Sequence, residues 1–201
     1  MTPMRTGAAV GLAVLMAGCA VPDSASRGAL FDSVAPPEAA SGPAQHQPLH
    51  IRAVNVQVPD ALQVSEANRY YPSGDIVWRG DAPGDRHAQV QAIFETAMAR
   101  GTAAMSRGTP AVLDIEVLRF HALTEKARYT VGGVHAIRFA FSLRHAETGV
   151  PLGDRRVVKA NLRGFGGQRA LDAEREGLTQ KVRITDHLAH VIQTELVAPG
   201  A

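Results

Sequence analysis

A lone thiol, a histidine pair, a pair of acids, a glycine-rich loop and a cluster of aromatics are the groups in this chain whose type and spacing could do chemistry. Cys19 is the only cysteine, and it closes the run Leu15-Met16-Ala17-Gly18-Cys19. The small residues before it leave the preceding bond open to a peptidase and the sulfur open as a nucleophile. The alternative, a soft residue that happens to end an apolar segment, leaves those small neighbours unexplained. His187 and His190 stand three apart in a helical pattern with Asp186 beside them. A closed zinc site needs about four ligands and an open one about three. The remainder would have to come from His121, His135 or a carboxylate across the fold, whereas histidines on a helix surface need no metal at all. No metal and no cofactor is therefore expected.

Asp114 and Glu116 alternate along a strand, the period for paired acid and base work and equally that of a solvated sheet face. The stretch Gly164-Phe165-Gly166-Gly167-Gln168-Arg169 follows a strand and precedes a helix, where a phosphate loop would lie. Arg169 stands where a dinucleotide loop needs a small residue, and the stretch is not an early parallel βαβ unit, so a flexible glycine connector is expected. No Walker loop, Gly-x-Ser-x-Gly elbow or His-Glu-x-x-His helix is present. Catalysis is not the expected role, a hydrolase assembled from scattered Asp, Glu and His being the lesser reading.

Between Ser65 and Arg86, Tyr70, Tyr71 and Trp78 are interleaved with Arg69, Asp75, Arg79, Asp81, Asp85 and Arg86. Aromatics beside Arg are what protein interfaces use as anchors, since each buries a large area and keeps a polar handle. Tyr70, Tyr71, Trp78, Arg79 and Asp81 are thus candidates for partner binding. The competing reading puts Ile76, Val77 and Trp78 in the core with the charges paired at the surface.

The elements that must position these groups follow from periodicity. Val54, Val56 and Val58 alternate with polar residues, predicting a strand over Ile51–Val58 that Pro59 ends. A short extended piece covers Asp75–Arg79. From Asp85, Val90, Ile93, Phe94, Ala97, Gly101, Ala104 and Met105 recur at helical spacing, with Gly108 and Pro110 as the stop and small residues facing a sheet. Strands are predicted over Val112–Leu123, His135–Leu143 and Leu152–Leu162, the three forming an antiparallel meander. Ile184, Leu188, Val191, Ile192 and Leu196 make a last helical stripe, with Gly177 splitting the region and Thr179 as cap. The expected fold is α+β, a mainly antiparallel sheet of about four to five strands with two main helices on one face.

Upstream, Arg5 and the apolar run from Ala8 to Ala17 have the layout of a secretory signal peptide, too short to span a bilayer. With Ala17-Gly18-Cys19 and Met16 three before the cysteine, this leader resembles that of bacterial lipoproteins. The resemblance implies cleavage before Cys19, a diacylglycerol on its sulfur within an anchor of several acyl chains, palmitate among them, and, through Ala20 in place of an Asp, export to the outer membrane. Several chains anchor far more firmly than one. The expected organisation is a signal peptide at 1–18, a lipidated disordered tether at 19–48 rich in Ala, Ser, Pro and Gly, one periplasmic domain at 49–197 and a tail at 198–201. A flexible tether of about 28 residues spans roughly 30 Å.

The formal charge is +2, and loss of Arg5 with the leader makes it +1, which offers no footprint for nucleic acid. The domain also resembles small uncharacterised bacterial lipoproteins grouped as a domain of unknown function, through Val64-Ser65-Glu66-Ala67-Asn68 and Asp75-Ile76-Val77-Trp78-Arg79-Gly80-Asp81. More loosely, its plan is similar to that of periplasmic auxiliary lipoproteins of envelope transport machinery. The expectation is a non-enzymatic adaptor held to the membrane by its lipid and binding an envelope protein, with a small-ligand or lipid-binding module as the alternative.

Overall fold

The computed structural model describes residues 48–197. The expected leader, Cys19, the tether as far as Gln47 and the tail from 198 lie outside the described residues. The chain runs β1 (Leu49–Gln57), β2 (Ile76–Val77), α1 (Arg86–Thr102), β3 (Thr109–His121), α2 (Glu125–Arg128), β4 (Gly133–His145), β5 (Arg156–Lys159), β6 (Leu162–Gly164), α3 (Gln168–Arg175) and α4 (Gln180–Val197). The sheet path is β1-β3-β4-β5, with β2 also on β3 and β6 also on β4. The β3–β4, β4–β5 and β4–β6 pairs are antiparallel. β1 and β2 both lie parallel to β3, because the chain returns through α1 rather than a hairpin.

Two departures from the periodicity have local causes. The expected strand Leu152–Leu162 is divided into β5 and β6 because Asn161 inserts its side-chain carbonyl as the acceptor for the Ile137 N–H, at 3.1 Å, interrupting the backbone ladder. This gives six strands instead of four or five. β3 carries a bulge between Val117 and Arg119. Leu113, Ile115 and Val117 face inward as alternation requires, and the bulge then turns Phe120 to the same face, where it is fully buried.

α1 starts where expected, its N-cap Asp85 accepting from the Ala88 amide at 3.1 Å. It stops at Thr102, six residues short of Gly108, because the carbonyl of Met105 is taken by the Ile51 amide at 2.9 Å and the chain is drawn onto β1. The α3–α4 break falls at Gly177, whose φ is +79°, and the Thr179 hydroxyl accepts from the Val182 amide at 3.3 Å. α1 and α4 supply Val90, Ile93, Phe94, Ala97, Met98, Ile184, Leu188 and Ile192 to one core with the inner sheet face. Trp78, Phe120, Phe94 and Phe139 cross it edge to face at centroid distances of 5.6, 6.1 and 5.6 Å.

Gly101 does not face the sheet as its small size suggested. A Cβ there would lie 2.4 Å from the Ala189 carbonyl oxygen and 2.5 Å from Ile192 Cγ2, so the glycine is what lets α4 rest against α1. Gly101→Val should cost about 2–3 kcal/mol by overpacking, seen as a lower urea midpoint with an unchanged slope. A midpoint equal to that of the parent would show that the helices separate freely.

Candidate functional site

The long irregular connection between β1 and α1 holds most of the polar residues singled out above. It has few backbone partners, among them Ser65 N to Ile76 O at 2.9 Å and Ile76 N to Gln63 O at 3.0 Å. Side chains do the rest. Trp78 is fully buried and its indole N–H donates to Asp81 Oδ2 at 2.9 Å. Asp81 in turn takes Lys181 of α4 at 2.9 and 3.0 Å. Burial acts to raise the Asp81 carboxyl, but the hydrogen bonds from Lys181 and Trp78 outweigh it and the group lies below its ordinary value. Arg86, 4% exposed, pairs with Glu66 at 2.6 Å and also donates to the carbonyls of Asp81 and Ala82. Its bond to Glu66 raises the guanidinium and lowers the carboxylate. Arg79 joins the same acid to Glu125 of α2 at 2.6 Å.

The aromatic segment therefore separates into two parts. Trp78 is core, so as a partner-binding candidate it is corrected, while Arg79 and Asp81 are half-buried and form ion pairs that hold the connection in place. An exposed indole would leave the space beside Phe120 empty. Tyr70 and Tyr71 behave differently. Tyr71 is 94% exposed although its neighbour Pro72 is buried, and Tyr70 is 41% exposed. They line a cleft of about 130 Å³ with Leu123, Val131, Gly133 and Val134. Val131 and Val134 are 76% and 54% exposed, which makes the opposite lip apolar as well. Lys126 stands 4.8 Å over the Tyr70 ring, and Arg69 is exposed beside it.

Val131 and Val134 were not foreseen. They reach the cleft because α2, capped by the Thr124 hydroxyl at 3.2 Å, is followed by Val131-Gly132-Gly133-Val134 at the entry to β4, whose glycines have φ of +74° and +148°. The Thr124 hydroxyl also donates to the Arg69 carbonyl at 2.8 Å, tying the tyrosine lip to α2. The pair Gly132-Gly133 between two valines was the available signal. Gly166 then packs on Gly132 so closely that a Cβ would meet the Gly132 nitrogen at 2.3 Å. The glycine-rich stretch is thus a packed joint, not the flexible connector expected.

Other candidates are dispersed. Asp114 pairs with Arg144 at 2.8 Å and accepts from Asn55, while Glu116 pairs with Arg155 at 2.6 Å, so each acid is committed to a different partner. Asp186 binds Arg100 and His190 is exposed. Among the described residues no three of His, Asp and Glu converge in a metal-holding group. His121 donates through Nε2–H to the Pro72 carbonyl at 3.0 Å, anchoring the tyrosine lip. His135 is 1% exposed, and its Nδ1 accepts from the Leu123 amide at 3.2 Å. Burial first, and then Arg183, Arg128 and His187, press it down to about 3, so it is neutral in the fold. A hollow of about 550 Å³ opens elsewhere, bordered by Pro48, Leu49, Met105, Leu196 and Val197.

A mixed sheet with two long helices on one face, packed around one core, defines an α+β domain that carries a tyrosine-lipped cleft on its surface. The model of a family of unknown function, DUF6778, matches residues 49–201, and the chain belongs to that family. No curated protein matches it. Solved structures similar to it include a Xanthomonas campestris protein of family DUF330, 13% identical with a TM-score of 0.41, over 78% of this chain and 86% of that one. A Caulobacter crescentus CB15 protein described as a candidate lipoprotein is 16% identical with a TM-score of 0.30, over 53% of this chain and 79% of that one. An uncharacterised protein is 15% identical with a TM-score of 0.32, over 74% and 91%.

Trp78→Ala should cost about 3–5 kcal/mol by cavity formation, while Tyr71→Ala should stay within about 0.5 kcal/mol; thermal melts of the two variants separate core from surface. Because His135 is held neutral, the unfolded chain binds one more proton than the folded one between pH 6.5 and about 3. Its contribution is fully present above pH 6.5 and falls by about 2 kcal/mol on going to pH 5. Urea midpoints of His135→Gln should show a flatter dependence over that range, and an unchanged slope would count against the assignment.

Proposed function

We propose that this protein is a non-enzymatic adaptor of the cell envelope, anchored in the outer membrane through lipid on Cys19, which uses the tyrosine-lipped cleft to hold an envelope protein. The exposure of Tyr71 carries the reading. A 94% exposed tyrosine on a lip fixed by buried Pro72, His121 and Thr124 presents apolar area at little entropic cost. Val131 and Val134 supply the facing apolar wall, and Arg69 and Lys126 leave the rim positive. The fitting partner is a protein segment that offers an apolar side chain beside an acidic one. The leader through Cys19 supports the anchor, and Ala20 supports the choice of membrane.

In cells, a photo-cross-linking residue at position 71 should capture one discrete envelope protein, and Val131→Glu should abolish that capture without lowering the melting temperature. Cys19→Ser should shift the chain from the membrane to the soluble fraction. Capture of bulk neighbours only, or capture indifferent to Val131→Glu, overturns the adaptor reading. The 550 Å³ hollow favours a second one, a small-ligand or lipid-binding module, since its size falls in the range of ligand pockets. Displacement of a fluorescent fatty acid by unlabelled lipid, weakened by Met105→Trp, would mark that reading instead.

A further inference from the structure

Phe165 lies against two guanidinium groups that no carboxylate answers. Arg183 Cζ stands 3.5 Å from the ring centre and Arg169 Cζ 4.2 Å, so two positive charges crowd one ring. Among the described residues neither arginine forms an ion pair. Arg183 donates to the Arg163 carbonyl at 2.8 Å, which engages one of its five N–H groups. Burial, and then the like charge of Arg169, push its guanidinium below the ordinary value, although it stays charged.

The helix ends add to the positive field. Arg169 occupies the first turn of α3, Arg183 the first turn of α4, and neither turn contains an acid. Cations are least favourable at that end of a helix dipole, where an anion is most favourable. Gly167, at the start of α3 with φ of +54°, provides no side-chain cap. Gln180 is a separate observation. It is 4% exposed, and neither its amide nitrogen nor its amide oxygen meets a partner among the described residues. A buried amide left so costs about 1–3 kcal/mol. With Phe165, Arg128 and Arg183 it lines a recess of about 10 Å³, room for one water-sized group. Glu174 borders the same recess but is held by Arg128 at 3.4 Å and Tyr129 at 3.2 Å.

We propose that this recess is a binding site for a phosphate group, free or on a lipid headgroup, in which Arg183 takes the outer oxygens, the Gln180 amide donates to the innermost one, and Arg169, against Phe165 but outside the recess lining, adds positive charge. The size of the recess limits entry to one terminal oxygen, so the bulk of the ligand stays outside Phe165. The site is independent of the tyrosine cleft.

Calorimetric titration of the full chain in a neutral detergent tests it with three probes: inorganic phosphate, glycerol 3-phosphate and dihexanoyl phosphatidylglycerol. Saturable binding with Kd of about 1 mM or tighter is expected at low salt, weakening as salt rises. Arg183→Gln should weaken it at least about tenfold, and Arg169→Gln, at an exposed position, should weaken it less and reduce its dependence on salt. Equal binding of all three probes assigns the site to free phosphate, and tighter binding of the lipid assigns it to a headgroup. No saturable heat with any probe at about 10 mM, binding unchanged in the folded Arg183→Gln variant, or a salt dependence unchanged in the folded Arg169→Gln variant overturns the proposal.

Discussion

Burying the Trp78 indole with its N–H satisfied is the constraint on which the rest of this structure depends. The residues between β1 and α1 make only the short strand β2, and little backbone pairing holds them. Trp78 closes the core against Phe120, and its buried N–H needs an acceptor. Asp81 supplies it, and the charge so brought in is met by Lys181 from the far end of the sequence. Gly80 is part of the same solution, since a Cβ there would lie 2.3 Å from the indole ring. One aromatic thus couples the connection, β3 and α4.

A second layer of charge fixes the outer part of the connection. The series Arg86, Glu66, Arg79, Glu125 runs from the start of α1 to α2, with alternating sign at each step. Arg86 is buried, so its cost of desolvation is offset only because a carboxylate, two carbonyls and Gln89 surround it. The exposed rings of Tyr70 and Tyr71 stand on this framework instead of on a free loop. Their orientation then follows from Pro72, His121 and Thr124.

The joint between Gly132 and Gly166 links the two surfaces of interest. Neither backbone could approach the other with a side chain at these positions, and the Gly167 amide adds a bond to the Arg128 carbonyl at 3.0 Å. The cleft on one side and the Phe165 recess on the other share Leu123 as a wall. Charge differs between them. The cleft is apolar with a basic rim, whereas beside the recess Arg169 and Arg183 stand without a carboxylate at two helix starts.

Much of the fold was legible because burial imposes period on sequence. Val90, Ile93, Phe94 and Ala97 announced α1, and His135, Ile137, Phe139 and Phe141 announced β4, since each pattern follows one buried face. Asp85, Gly177 and Thr179 marked helix limits through local chemistry that needs no distant partner. The bulge that turns Phe120 inward, the ladder break at Asn161 and the parallel return of β1 were not legible, because each depends on what lies across the sheet. The same holds for the site. Sequence alone marked Tyr70, Tyr71 and Trp78 as a group with anchor chemistry. Only the tertiary structure sent Trp78 inside and left Tyr71 in solvent, because the partners that decide it, Phe120, Lys181 and Thr124, are far away in the chain and near only in the fold.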